Sequence, residues 1–445
     1  MKEKILDIIR NGVKNEKWEP GKWIQYSGPV LGEEEYLSAI ECILNGWFAF
    51  GNNCRQVEKD FPKYFGKNFG SYVNSGSSAN LLMMLAFREH YLADKPFYYK
   101  FDQMQHYKVI TSVVGFPTTI NPIIQAGLWP IFVDVEIPSL NMNLDLVEKV
   151  CKEHQNIKAI MYSPVLGNPT DNDRLLEICR KYDLVLLEDA CDSLGSTYKG
   201  KPLGSFGEIS TCSFFPAHHI TSFEGGFVAT NNLKIDNIVH SLRDWGRDCQ
   251  CNKHSPEESC ARQPCGNRFK DWLKTGYNYD HRYVFSRIGY NLKPTEVQGA
   301  VLLEQMKRIG EFDNKRKYNF SKMFNIFKKY EEFFYLPEPQ KDADVSWFAF
   351  LLTLKDNKYF TKDEFINYLE SKYIQTRSYF AGNVLKQPAY KKYKEIYNSK
   401  GTNFIKANFV TKNSFMLGCY QGLTDEMIDY IEECVNEFIE EKTNK

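Results

Sequence analysis

The chain has 445 residues, 43% of them hydrophobic, and its 56 basic and 56 acidic side chains cancel to a formal charge of zero. That length supports one large domain and a smaller one, each with its own core, and the charge balance excludes a partner chosen by bulk electrostatics, whether nucleic acid or anionic membrane. Twelve cysteines in a long chain that opens on Met1-Lys2-Glu3-Lys4 point to buried thiols plus a metal or redox site, not to a secreted disulfide framework, and so to a cytoplasmic protein.

The opening residues read as a polar amphipathic helix, and no apolar run approaches the roughly 18 residues needed to cross a bilayer. Between residues 70 and 230 seven short β-rich runs recur, near Tyr72-Val73, Val109-Ile110, Ile131-Phe132-Val133, Ala159-Ile160-Met161, Leu184 to Leu187, Thr211 to Phe215 and Phe227-Val228. Helical stretches such as Asn80 to His90 and Arg174 to Tyr182 separate several of them, which predicts an α/β fold with a seven-stranded, mostly parallel sheet covered by helices. Residues from about 235 to 290 are irregular and rich in Cys, Asn, Arg and aromatic residues, and they are too long for an ordinary connection. A helix containing Val297, Ala300, Val301, Leu302 and Met306 follows, then a mixed α/β segment ending in a helix from Glu426 to Glu440. The expected division is a large domain over 1–300, including the cysteine-rich insertion, and a smaller C-terminal α/β domain over 301–445.

Four features carry chemistry. In Val73-Asn74-Ser75-Gly76-Ser77-Ser78-Ala79-Asn80 a strand ends in small polar residues as a helix begins, and free N–H groups and hydroxyls at such a turn either dock a phosphate or simply cap the helix. Asp189 closes the run Leu184 to Asp189, and a carboxylate at the carboxyl end of a central parallel strand faces the crevice where open α/β sheets bind ligands. Phe116, before Pro117, is either core or a flat apolar face for stacking. Cys191, Cys249 and Cys251, with Cys260 and Cys265 beyond, offer a Cys-x-Cys set that spacing leaves open to iron–sulfur, to zinc or to no metal at all.

The segment Ser213-Phe214-Phe215-Pro216-Ala217-His218-His219, downstream of Asp189, resembles the cofactor core of the DegT/DnrJ/EryC1/StrS sugar aminotransferase family, whose Ser-Phe-x-x-x-Lys run holds pyridoxal phosphate (PLP) covalently. His218 stands where that family has lysine. The resemblance implies a fold-type I PLP-dependent transferase-like architecture, with Gly76, Ser77 and Ser213 on the cofactor phosphate, Phe116 stacked on its ring and Asp189 on its pyridine nitrogen. Asn291, in Gly289-Tyr290-Asn291, would reach the phosphate from a neighbouring subunit, implying a homodimer with shared sites; Lys293 close by has no assigned role.

With His218, the cysteines and the runs Arg243 to Cys249 and Arg377 to Tyr390, the whole chain resembles the CDP-6-deoxy-L-threo-D-glycero-4-hexulose 3-dehydrase family. That resemblance implies noncovalent pyridoxamine phosphate (PMP), His218 as the proton-transfer catalyst, and a 2Fe-2S cluster on Cys191, Cys249, Cys251 and Cys265, with Cys260 as fallback. It also implies a nucleotide-linked, CDP-type 4-keto-6-deoxyhexose as substrate, an NADH-dependent flavin or iron–sulfur reductase as partner, and a place in 3,6-dideoxyhexose and O-antigen synthesis. The rivals are a clusterless dehydratase of the same fold that regenerates its cofactor with glutamate, and a degenerate, structural member whose cysteines hold zinc.

Overall fold

The computed structural model describes residues 2–12, 17–92, 107–249, 268–274, 276–399 and 403–443. Its main sheet has seven strands, β1 (Phe69–Val73), β2 (Lys108–Ser112), β3 (Trp129–Val133), β4 (Ile157–Tyr162), β5 (Val185–Asp189), β6 (Ile209–Ser213) and β7 (Gly226–Thr230). All seven expected runs are strands, in the order β1-β7-β6-β5-β4-β2-β3. Neighbours from β3 through β6 pair in parallel, and β7 runs antiparallel to both β1 and β6. The central strands are near-continuous apolar runs because helices cover both faces and leave no side for polar residues. Ala159, Ile160 and Met161 of β4 are fully buried.

Two expected boundaries move. β6 stops at Ser213, before Phe215, because the chain turns back at once: Ser222 N donates to Phe214 O and His218 N to Phe215 O. The helix expected from Asn80 begins at Gly76, since Ser75 caps it by accepting from Ser78 N, and its α-helical hydrogen bonding ends at Phe87.

The C-terminal part holds a four-stranded antiparallel sheet whose central strands are Phe350–Leu354 and Ser414–Leu417. The helices Ile309–Lys328, Lys362–Ser371 and Asp425–Thr443 pack around an aromatic core that includes Phe327, Phe334, Phe365 and Phe438. Full burial of rings such as Phe350 and Phe365 stabilises the fold by about 2–3 kcal/mol each. Residue 300, the expected domain boundary, lies inside the helix Glu296–Lys307, which packs on the helices Glu33–Leu44 and Asn52–Asp60. Ile24, far from the C-terminal part in sequence, forms a parallel bridge with Ile374 and enters its core. One side chain ties the two parts at the strand ends: Arg316, on the helix Ile309–Lys328, is fully buried and donates to Trp347 O, Phe348 O and His218 O.

Candidate active site

Three strand ends form the floor of the site. Val73, Gly226 and Ser213 stand abreast in the register of β1, β7 and β6. Beyond Val73 the helix Gly76–Phe87 starts so close to β6 that a Cβ at position 76 would lie 2.5 Å from Ser213 Cβ, so only glycine permits the approach. The first turn of that helix, Ser77 and Ser213 therefore meet at one place, where N–H groups and hydroxyls suit a phosphate. Asn74 Oδ1 is buried beside them without a hydrogen-bond partner among the described residues.

Asp189 ends β5 and is buried. Its Oδ2 accepts from Asn80 Nδ2 at 2.8 Å and from Thr119 Oγ1 at 2.7 Å, while Oδ1 takes a longer bond from Cys191 N at 3.3 Å. Thr211 Oγ1 in turn donates to Asn80 Oδ1 at 2.6 Å, which turns the amide so that its NH2 meets the carboxylate. Asn80 and Thr119 do not stand out in the sequence. A sign was available for Asn80, which lies one turn beyond Gly76 on the same helical face.

The two adjacent histidines are held differently. His219 is buried, its Nε2 lies 2.9 Å from Ser346 O, and burial together with the Arg316 cation pushes its pKa well below the usual imidazole range. His218 lines a cavity of about 520 Å³, and so do Gly76, Ser77, Phe116, Asp189, Cys191 and Ser213. Phe116 is 50% exposed on the cavity wall, edge-on to Phe380 at 5.6 Å, which removes the reading that it is plain core. Asp192, Glu224, Tyr26 and Phe348, which the motifs do not mark, also line the cavity. Desolvation raises the Glu224 carboxyl above its ordinary range, and the His218 imidazole pulls it partly back.

Asn291 is exposed, is not among the residues lining this cavity, and bridges to Asp244. Lys293 also serves the Asp244 segment: its Nζ donates to Asp244 Oδ1 at 2.6 Å and lies 3.4 Å above the Trp245 ring. It is thereby engaged away from the Schiff-base position. Cys191 lines the cavity, and burial with the neighbouring Asp189 carboxylate pushes its thiol well above the ordinary range. Cys249 is half-buried, whereas Cys251, Cys260 and Cys265 lie outside the described residues. Among the described residues no three His, Cys, Asp or Glu side chains gather as a metal site.

The cavity accommodates PMP on its own geometry. Its volume falls within the roughly 300–1,000 Å³ of cofactor pockets, a glycine-dependent cradle sits at one end, and an oriented carboxylate sits at a central strand end. Sheet order, cradle and carboxylate together define a fold-type I PLP-dependent enzyme fold.

Comparison with known proteins narrows the class. The chain belongs to the DegT/DnrJ/EryC1/StrS aminotransferase family, whose model matches residues 29–436. It is 40% identical over 417 residues to the dTDP-4-dehydro-2,6-dideoxy-D-glucose 3-dehydratase of Saccharopolyspora spinosa, covering 94% of this chain and 86% of that one. It is also 40% identical over 413 residues to the lipopolysaccharide biosynthesis protein RfbH of Salmonella typhimurium, covering 93% and 91%. Among solved structures, E. coli GDP-4-keto-6-deoxy-D-mannose-3-dehydratase with bound hydrated PLP superposes with a TM-score of 0.77 at 28% identity, over 93% of this chain and 99% of that one.

Proposed function

We propose that this protein is a PMP-dependent 3-dehydratase acting on a nucleotide-linked 4-keto-6-deoxyhexose in deoxysugar biosynthesis. The observation that carries the reading is His218, an imidazole on the cavity wall where the aminotransferases of the family place lysine. A histidine leaves the cofactor noncovalent and can still move a proton near neutrality. The two relatives named for 3-dehydration support the reaction class.

Gly76, Ser77 and Ser213 would hold the cofactor phosphate, Phe116 one face of its ring, and Asp189 its pyridine nitrogen. Bound there, PMP would supply an amine for the sugar's 4-keto carbon and a ring that takes up electrons as the methylene proton leaves and returns them as the C3 hydroxyl departs with that proton as water. His218 removes the proton from the cofactor's methylene carbon. Asp189, fixed by Asn80 and Thr119, keeps a proton on the ring nitrogen and so stabilises charge entering the ring.

Cys191, Cys249, Cys251 and Cys265 would hold a 2Fe-2S cluster, a group whose chemistry is one-electron transfer, fed here by an NADH-dependent flavin or iron–sulfur reductase. Supporting this is the Cys191 thiol, which sits on the cavity wall two residues from Asp189. The working form is a cytoplasmic homodimer in which Asn291 completes the neighbouring phosphate site. The nucleotide is CDP and the product a 3,6-dideoxyhexose precursor of O-antigen.

The test is anaerobic purification followed by incubation with PMP, NADH, a reductase and CDP-, dTDP- or GDP-linked 4-keto-6-deoxyhexoses, with products read by mass spectrometry. Iron–sulfur charge-transfer bands and a 3-deoxy product from the CDP sugar are expected. A colourless, cofactor-bound protein that turns over with glutamate would instead establish the clusterless reaction, and absence of both cofactor and turnover a degenerate fold.

A further inference from the structure

Asp192 lies in the turn after β5, and its Oδ1 is 3.3 Å from His218 Nδ1. Both side chains are nearly buried, at 12% and 14% exposure, in the wall of the same cavity. His218 is held from three further directions: the Phe348 ring is tilted against it at 5.1 Å, the Phe215 ring stands edge-on at 6.4 Å, and Arg316 binds its carbonyl oxygen. Nδ1 is buried and, among the described residues, makes no hydrogen bond of good angle, which leaves the Asp192 carboxylate as its polar neighbour and, since His218 lines the cavity, Nε2 as the ring nitrogen left for it.

We propose, resting on the dehydratase reading, that Asp192 is a positioning residue that selects the His218 tautomer with its proton on Nδ1, so that Nε2 presents a lone pair to the reacting carbon. A carboxylate accepts but does not donate, so it favours N–H on the nitrogen it faces. The ring flip that would exchange the two nitrogens is opposed by Phe348 and Phe215. Contacts of this kind are commonly loose until the reacting complex assembles, then shorten. Other charged or titratable groups around the ring include the adjacent His219, which feels the charge of His218, Arg316 beneath its backbone, Glu224 on the cavity wall, and Tyr26 and Tyr379, both close enough to Asp192 to feel its charge. Among the described residues, Asp192 is the one that pairs with Nδ1.

The tautomer is read directly by neutron diffraction of deuterated wild-type crystals kept well above the pH where imidazole is charged. A deuteron on His218 Nδ1 alone, directed at Asp192, is expected. A deuteron on Nε2, alone or in addition, overturns the proposal whatever reaction the enzyme catalyses.

Kinetics supplies the second arm. In Asp192→Asn the amide can donate to Nδ1 and drive the proton to Nε2, so kcat should fall about 100-fold with KM little changed. Asp192→Glu, which keeps the acceptor, should recover part of the loss. A kcat unchanged in Asp192→Asn, or a loss that appears in KM with no recovery in Asp192→Glu, overturns the assignment.

Discussion

His218 and His240 are equally buried, each with 14% of its side chain exposed, yet their surroundings ask different things of them. His240, on the helix Leu233–Arg243, has Ser71 Oγ at 2.9 Å and Asp236 Oδ1 at 3.2 Å from Nδ1, and Glu58 Oε2 at 3.3 Å from Nε2. Burial opposes its charge, but the Asp236 and Glu58 carboxylates outweigh it and raise its pKa to about 9. Glu58 also accepts from Tyr72 N and Arg243 Nη1, and Arg243 binds Tyr72 O, so the network pins the start of the cysteine-bearing segment to β1. His218 has, among the described residues, one off-angle polar neighbour at Nδ1 and an open cavity. Saturation of partners, more than depth, separates an imidazole that holds the scaffold from one free to react.

The largest test of that contrast is His218→Asn, which should cut dehydration about 10³-fold while thermal unfolding stays unchanged. His218→Lys should let added PLP form an adduct that borohydride fixes, and its absence would place the family's lysine position elsewhere. Next are the thiols. Cys251→Ala and Cys265→Ala should lose iron and reductive turnover, yet still exchange solvent deuterium into the methylene of bound cofactor when sugar is present. Cys260→Ala should keep its iron. An iron-replete Cys265→Ala beside an iron-free Cys260→Ala would exchange the ligand assignment.

At the scaffold end, Glu58→Ala leaves Arg243 and His240 without their shared carboxylate and should cost roughly 3–5 kcal/mol in denaturant unfolding. An unmoved midpoint would deny the network its structural role. The same network has a pH signature. Because folding raises the His240 pKa from about 6.5 to about 9, its contribution is fully present below the unfolded value and is lost as pH rises through the folded one. Unfolding midpoints should therefore fall between those limits in the wild type and less so in His240→Gln; parallel profiles would remove His240 as the source. The smallest effect belongs to His219→Asn, which forfeits one hydrogen bond to Ser346 O, about 1 kcal/mol, with turnover nearly intact. Equal damage at 218 and 219 would mean the two roles are divided wrongly.

Much of this was legible in the chain. The seven strands announce themselves because each is a short apolar run bounded by turns, and a parallel sheet covered on both faces demands such runs. Asp189 and the Gly76 turn are legible because each is marked by its place at an element's end, where side chains and N–H groups face the crevice, whereas His218 is legible through the resemblance of the Ser213 to His219 run. Helix onset and strand end are less so: Ser75 capping and the fold-back after Ser213 depend on hydrogen bonds that composition does not display. The start of the segment containing Cys251, Cys260 and Cys265 is placed by the Arg243 network, whose members come from three separate elements.

By itself, then, the sequence determined the order and type of the elements and which residue types stand at their ends, since hydrophobic periodicity and turn chemistry act between near neighbours along the chain. Only the tertiary structure decided which of those ends meet. Gly76 against Ser213, Asn80 and Thr119 on Asp189, and Asp192 beside His218 Nδ1 each join separate segments. Periodicity says which face a residue occupies; strand order, register and the packing of helices across the sheet select the partner that the face will meet.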